Sequence, residues 1–285
     1  MAKKLILALI TSHSMGKPLR LVAKNNQYAD VLQLTDCHLE ADAKRSLAGI
    51  NTRESFEAVL QQSSQQACDL TLVTGDIANG GNAAAYRVFH DLVERYIDSP
   101  LAWLPGNHDD PVVMAQTKPL DQVFLLNNWA VILLNSKQPN KSSGLIGEDQ
   151  LNWLEQQLRH LDCEHILITL HHHCIEIGSR WIDDIMLDDR EAFWARVTGN
   201  NNQARVKAIL SGHVHQSSNL VHQGCRVITS PSTCIQFACN SDDFALADHL
   251  PGYRMLRLHE DGRIQTNIVR IQDRRFQADL RCQGY

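Results

Sequence analysis

The sequence predicts an α/β fold with buried strands and a second sheet containing antiparallel pairs. Three observations carry this prediction. Short apolar runs alternate with amphipathic stretches along most of the chain, as in successive β-α-β units. Apolar residues make up 44% of the 285 residues, enough for a sizeable core and too many for a largely disordered chain. From about residue 222 onward, strand patterns outnumber helical ones, which is the mark of antiparallel pairing.

The elements follow in order. Residues 31–35 read as the first buried strand. Residues 51–66 carry Phe56, Val59 and Leu60 at helical spacing and read as a helix. Residues 70–74 form a second strand, 83–97 a helix and 101–104 a third strand. Further strands are expected at 130–135, 165–170, 206–211, 226–229 and 253–258, with a helix at 148–160 between the first two. No internal repeat or low-complexity linker interrupts this pattern, so residues 15–285 read as a single domain.

Residues 1–14 stand apart. Lys3-Lys4 precedes an apolar run over 5–10 that is too short for a secretory core or a bilayer span. They read as a leader or non-native extension, with Met15 as the native start. No other stretch approaches transmembrane length.

Charge and cysteine usage narrow the function classes. A formal net charge of −5 disfavours a basic face that wraps nucleic acid, yet leaves room for a small anion held by cations. The eight cysteines form no CxxC pair and no regular framework, which reads as the reduced thiols of a cytoplasmic protein. The fourteen histidines are unusual because five fall in two tight clusters, His171-His172-His173 and His213-Val214-His215.

The functional signal lies in the residues just past the end of each strand. The first strand hands over to Asp36-Cys37-His38, the second to Gly75-Asp76 and the third to Gly106-Asn107-His108-Asp109. Two later strands lead into the His171 triplet and into Gly212-His213-Val214-His215. Open α/β sheets bind ligands at the carboxyl ends of their strands, so these five segments are expected in one crevice. In Asp36-x-His38 and His213-x-His215, residues i and i+2 lie on one side of an extended backbone, so each pair can reach one site. Carboxylate, imidazole and amide oxygen without thiolate suit manganese, iron, zinc, cobalt or nickel better than a cysteine-bound structural zinc. Asp76 has two oxygens with which to bridge two cations. Taken singly, Asp-x-His and Gly-Asn-His-Asp read as ordinary turns and the His triplet as a surface accident, while Gly-His-x-His carries some metal signal of its own. All five in order, each at a strand end, are not a chance agreement.

This ordered set resembles the calcineurin-like metallophosphoesterase family, whose pattern is D-x-H, G-D, G-N-H-[DE], H and G-H-x-H. The resemblance extends to the bacterial 3′,5′-cyclic AMP phosphodiesterases through residues 32–36, 49–52, 103–109, 170–173 and 231–234 and the closing Gly284-Tyr285. It covers the chain from about Met15 to the C-terminus. It implies a four-layer α/β/β/α fold, a two-sheet sandwich flanked by helices. It implies two metal ions, iron or manganese first, with zinc, cobalt or nickel as alternatives. Asp36, His38, Asp76 and His215 would hold one; Asp76, Asn107, His171 and His213 would hold the other. His171 is chosen because it comes first after its strand, and His172 is the competing choice. The family often has Pro-Pro near here, where this chain has His173-Cys174.

The implied chemistry is direct in-line attack of a metal-held hydroxide on phosphorus, converting cyclic AMP to 5′-AMP. His38, Asp76, Asn107, His108 and His215 would surround the phosphate. His108 would stabilise the transition-state oxygens and protonate the leaving alkoxide, and Asp109 would orient a neighbouring histidine or, alternatively, cap a turn. The partner expected is a small cyclic nucleotide, with no nucleic acid and no membrane, acting on a monomer or homodimer. Trp181, in the segment 175–189, reads as either a base-stacking or a packing residue. The nearby acids Asp183, Asp184, Asp188 and Asp189 read as a solvated helix start or as neighbours of the nucleoside. Two other functions stay open: hydrolysis of a different phosphoester, such as a glycerophosphodiester, a 2′,3′-cyclic nucleotide or a nucleotide, and a non-enzymatic metal-bound scaffold.

Overall fold

A computed structural model of the chain describes residues 17–284. The leader expected over 1–14, the start at Met15 and the final Tyr285 lie outside the described residues. The first half runs β1 (Leu19–Leu21), β2 (Tyr28–Leu34), α1 (Thr52–Ser63), β3 (Leu70–Thr74), α2 (Ala83–Tyr96), β4 (Leu101–Leu104) and α3 (Pro111–Thr117). After these come β5 (Val123–Leu126), β6 (Trp129–Leu133), α4 (Glu148–His160), β7 (His165–Thr169), α5 (Arg180–Asp183) and α6 (Arg190–Thr198). The last part holds β8 (Val206–Ser211), β9 (Ser218–His222), β10 (Cys225–Thr229), β11 (Gly252–His259) and β12 (Ile264–Arg270).

Each expected strand and helix is present, with small shifts at the ends. Helix α1 starts at Thr52 because Asn51 is its cap, with Oδ1 accepting the Glu54 N–H at 3.1 Å. Asn82 caps α2 in the same way, and Asp110 followed by Pro111 opens α3. The pattern reading missed β1, β5, β9 and β12 and the short helices α3, α5 and α6. Edge strands β9 and β12 carry mixed polar sequence because β9 has no buried residue and β12 only Ile264.

Two mixed sheets result. Seven strands lie in the order β1-β5-β6-β7-β8-β10-β9, and five in the order β12-β11-β2-β3-β4. The strands after residue 222 supply antiparallel pairs to both sheets. The β9–β10 pair extends the larger sheet beside β8, and the β11–β12 pair extends the smaller one beside β2. Each parallel core would otherwise expose an unpaired edge, and a hairpin satisfies its N–H and C=O groups.

The two-residue period of the strands sorts their side chains into three apolar layers. Val31, Leu72, Leu104, Val131, Leu167 and Leu210 meet between the sheets. Leu32, Leu34 and Val73 face the other way, onto Phe56 and Val59 of α1 and Phe89 of α2. Ile132, Ile166, Ile168 and Ile209 pack on Leu154 of α4 and Phe193 of α6. The layering is therefore α/β/β/α, as the resemblance implies.

The inter-sheet layer turns polar towards the strand ends. Gln33 of β2 donates to Thr74 Oγ1 at 2.8 Å and to Ser211 O of β8 at 3.3 Å, while its Oε1 accepts from Ser230. Arg254 of β11, 4% exposed, donates to Ser230 Oγ at 2.9 Å and to Thr229 O of β10 at 2.6 Å. These bonds fix one sheet against the other beneath the segments that carry the functional side chains.

Candidate metal centre

Strands β2, β3 and β4 are mutually parallel, and so are β7 and β8, so within each sheet their carboxyl ends emerge on one side. The loops that leave them are tied together at once. Asp36 N donates to Gly75 O at 3.0 Å, His38 N to Asp76 O at 2.9 Å and Gly212 N to His171 O at 3.1 Å. Five of the expected ligand residues have positive φ: Asp36 (54°), His38 (45°), Asp76 (51°), His213 (68°) and His215 (46°). Left-handed backbone at non-glycine residues is costly and concentrates at functional sites. Two glycines are required by close approach. A Cβ on Gly106 would fall 2.2 Å from Asp76 Oδ1, and one on Gly75 (φ +95°) 2.5 Å from His171 Nδ1.

The side chains converge as the backbone dictates. His171 Nδ1 faces the Thr74 carbonyl at 2.8 Å and so carries its hydrogen there, which leaves Nε2 facing Asp76 Oδ2 at 3.3 Å and Asn107 Oδ1 at 3.1 Å. His215 repeats the device: Nδ1 faces the Ile235 carbonyl at 2.9 Å, and Nε2 faces Asp36 Oδ1 at 3.4 Å and His38 Nε2 at 3.2 Å. His38 Nε2 lies 3.9 Å from Asp76 Oδ2. The same Asp76 oxygen thus faces both His38 and His171. His213 packs its ring against His171 and His172, with centroids 5.0 and 4.7 Å away, and its backbone N–H donates to Asp36.

The other two residues of the triplet are engaged elsewhere. His172 Nδ1 pairs with Ser136 Oγ at 2.8 Å and Nε2 with Ser142 O at 3.0 Å. His173 Nε2 pairs with Asp183 Oδ1 at 3.1 Å. His108, half-buried, places Nδ1 3.0 Å from Asn79 Oδ1 and sets its ring edge-on to His38.

Asp109 lies among backbone donors rather than beside a ligand imidazole. Its carboxylate accepts the N–H groups of Ile77, Ala78 and Gly106 at 2.9–3.1 Å and the Tyr86 hydroxyl at 3.0 Å. It clamps the turn carrying Asp76 to the turn carrying Asn107. Of the two roles expected of it, orienting a histidine or capping a turn, its hydrogen bonds match the second, because those donors are the groups within its reach and the neighbouring His108 faces Asn79. Burial, reinforced by Asp76, pushes the Asp109 carboxyl up to about 6.

Electrostatics prepare the nest for cations. Burial lowers the imidazoles of His38, His172 and His213 well below the ordinary histidine range, aided by neighbouring imidazoles, so they are neutral; His172 spends its lone pair on Ser136, whereas His38 and His213 can offer theirs to a cation. Burial alone would lower His171 too, but the Asp76 carboxylate overrides it and raises that imidazole to about 9. Burial would raise Asp76, yet His171 and the other imidazoles hold it well below the carboxylate range.

Overlapping sets of possible ligand atoms lie within 4.8 Å of one another, among them Asp36/His38/His215, Asp36/Asp76/His171 and His171/His172/His213. Two observations fit this nest to metal ions. His213 Nε2 is buried with no hydrogen-bond partner among the described residues, and the Nε2 atoms of His38 and His215 sit 3.2 Å apart, where a shared cation satisfies both.

Several contributors carried no sequence signal. Asn79 beside His108, Lys137 donating to the Asn107 carbonyl, and Phe237 stacked flat on His215 (4.1 Å, 6°) reach the centre from loops with no motif of their own.

Two mixed sheets between helices, with a buried histidine–carboxylate nest at the strand ends, define an α/β metal-site protein. The pattern of the calcineurin-like phosphoesterase family matches residues 29–217, and the chain belongs to that family. It is 40% identical over 263 residues to the 3′,5′-cyclic adenosine monophosphate phosphodiesterase CpdA of Vibrio vulnificus, covering 90% of this chain and 94% of that protein. The Escherichia coli K12 protein of the same name is 37% identical over 266 residues, with the same coverage. A 3′,5′-cyclic-nucleotide phosphodiesterase of Nostoc is 35% identical over 251 residues, covering 85% of this chain and 92% of that one.

Among solved structures, yellow lupin purple acid phosphatase PPD1 matches with a TM-score of 0.54 at 12% identity, covering 89% of this chain and 56% of that one. GAP50 of Plasmodium, described as an anchor, matches with a TM-score of 0.50 at 15% identity, covering 90% and 92%. At these identities the likeness concerns the fold alone.

Proposed function

We propose that the chain is a two-metal phosphodiesterase that hydrolyses 3′,5′-cyclic AMP to 5′-AMP. The observation that carries this reading is the strand-end nest, in a chain 40% identical over nine-tenths of its length to a protein named for that activity. In this reading Asp36, His38, Asp76 and His215 hold one ion, and Asp76, Asn107, His171 and His213 the other. Iron or manganese is the first expectation from the family resemblance, and a set of imidazoles, carboxylates and one amide oxygen suits these as it does zinc, cobalt or nickel. Bound there, the ions supply Lewis acidity at the phosphate and lower the pKa of water.

The protein's own groups do the rest. Asp36 and Asp76 bring two negative charges against two divalent cations, so the nest stays net positive and draws an anionic diester. Asp76 ties the halves of the nest together through the oxygen shared by His38 and His171. His108 donates from Nδ1 to Asn79 Oδ1, and a second proton held on Nε2 would stabilise the phosphate oxygens and pass to the leaving 3′-oxygen. The apolar layer common to both sheets supports 15–285 as one metallophosphoesterase domain. Eight free cysteines support a cytoplasmic setting; no helix among the described residues is long and apolar enough to cross a membrane.

The test is turnover by manganese- or iron-loaded protein on cyclic AMP, 2′,3′-cyclic AMP, glycerophosphodiesters and bis(p-nitrophenyl) phosphate. Cyclic AMP is expected to be cleaved with the highest kcat/KM. Efficient cleavage of the generic ester with none of cyclic AMP would overturn the substrate assignment.

A further inference from the structure

The strand-end nest reads a phosphate and nothing of what is esterified to it, so substrate identity must be read beside it. A cavity of about 290 Å³ adjoins the nest, sharing Asn107, His108 and His213 with it. Trp181, Ile182, Ile185 and Phe244 supply apolar lining, and Ser142 and Gln283 add polar groups. Trp181 packs edge-on against Phe237 and Phe244, with ring centroids 4.9 and 5.2 Å away, and Phe237 lies flat on His215. Aromatic contact therefore runs unbroken from a ligand imidazole to the cavity wall.

The wall is fixed to the nest. Asp183, two residues after Trp181, accepts from His173 Nε2 at 3.1 Å and from the Ile177, Gly178 and Ser179 N–H groups at 2.9–3.0 Å. His173 is itself part of the segment that leaves β7. Of the acids in this loop, Asp189 accepts from Ile146 and Gly147 N–H, while Asp184 and Asp188 line a separate groove. The cavity lining carries no carboxylate among the described residues. A cavity with aromatic and aliphatic walls and about as much polar surface, set directly against a phosphate site, matches a planar heterocycle, with its apolar faces and polar edge, joined to a phosphate.

We propose that this cavity seats the nucleobase of the substrate, with Trp181 and Phe244 as specificity-determining residues. The inference rests on the phosphodiesterase reading. With manganese-loaded protein, calorimetric titration should show 5′-AMP binding at least about tenfold more tightly than ribose 5-phosphate, as base–aromatic contact predicts. Equal affinities would overturn the proposal, and this comparison needs no variant. In Trp181→Leu, and separately in Phe244→Leu, the ratio of kcat/KM for cyclic AMP to that for bis(p-nitrophenyl) phosphate should fall by about tenfold. An unchanged ratio in both would equally overturn it. If the wild-type protein cleaves cyclic AMP but binds 5′-AMP and ribose 5-phosphate alike, the base cavity fails and the phosphodiesterase reading stands. If it cleaves only the generic ester, the cyclic AMP assignment falls and the base cavity with it.

Discussion

In the metal-free nest, His171 holds a proton on the nitrogen that would bind metal. Its Nδ1 hydrogen is committed to the Thr74 carbonyl, so the exchangeable proton sits on Nε2, toward Asp76. With that imidazole raised to about 9, the ion pair stabilises the metal-free fold fully below the usual value of 6.5 and is lost as pH rises through about 9. A metal bound at Nε2 must expel the proton, so apparent affinity should fall as pH falls below about 9. Calorimetry in buffers of different ionisation enthalpy at pH 7.5 should find a proton released on metal binding, and about one fewer in His171→Asn. An unchanged proton count would remove His171 from the ligand set. Neighbouring residues divide binding from chemistry. Asn107→Ala should lower metal occupancy at one site, whereas His108→Ala should keep both ions and lose about 10²-fold or more in kcat. Asp76→Ala should lose metal and activity together, and retained activity there would refute the shared-ligand arrangement.

Between residue and fold stand the turns, and Asp109 shows how they are held. Its two oxygens serve three backbone N–H groups and the Tyr86 hydroxyl, joining the turn after β3 to the turn after β4. Asp109→Ala strands those buried donors, at about 1–3 kcal/mol for each that finds no water. Urea unfolding should therefore show a loss of several kcal/mol, roughly the cost of two unpaired donors, with reduced metal content. A variant of unchanged stability whose kcat alone fell would return Asp109 to an orienting role. Gly106→Ala is the steric counterpart. Its methyl group would collide with Asp76 Oδ1, so metal content should drop even where the protein folds.

For the molecule as a whole, the nest depends on two sheets keeping their relative position. The proposed ligand residues come from both: Asp36, His38, Asp76 and Asn107 follow strands of the five-stranded sheet, and His171, His213 and His215 follow strands of the seven-stranded one. Oily packing between sheets is tolerant of small slides, whereas directed hydrogen bonds are not. Arg254 and Gln33 supply those directed bonds. Arg254→Met should cost about 2–4 kcal/mol in urea unfolding, because Thr229 O and Ser230 lose a buried donor, and should weaken metal binding at both halves of the nest. Destabilisation with metal affinity intact would show that the apolar layer alone sets the register.

Much of this was legible in the sequence for a simple reason. A buried strand is announced by its own apolar run, and the chemistry-bearing residues come within two or three positions of the strand end, so strand and ligand type are read from one short window. The order of five such windows is what points to a two-metal phosphoesterase. Tertiary structure alone decided orientation and pairing. It turns His171 towards Asp76 while His172 is held by Ser136, and it does so through Thr74, 97 residues earlier in the chain. It sends the two C-terminal hairpins to different sheets, makes Asp109 a clamp and brings Trp181, Phe237 and Phe244 beside the nest. A short window fixes which atoms stand at a strand end. Where those atoms point is set by partners that folding brings in from far along the chain.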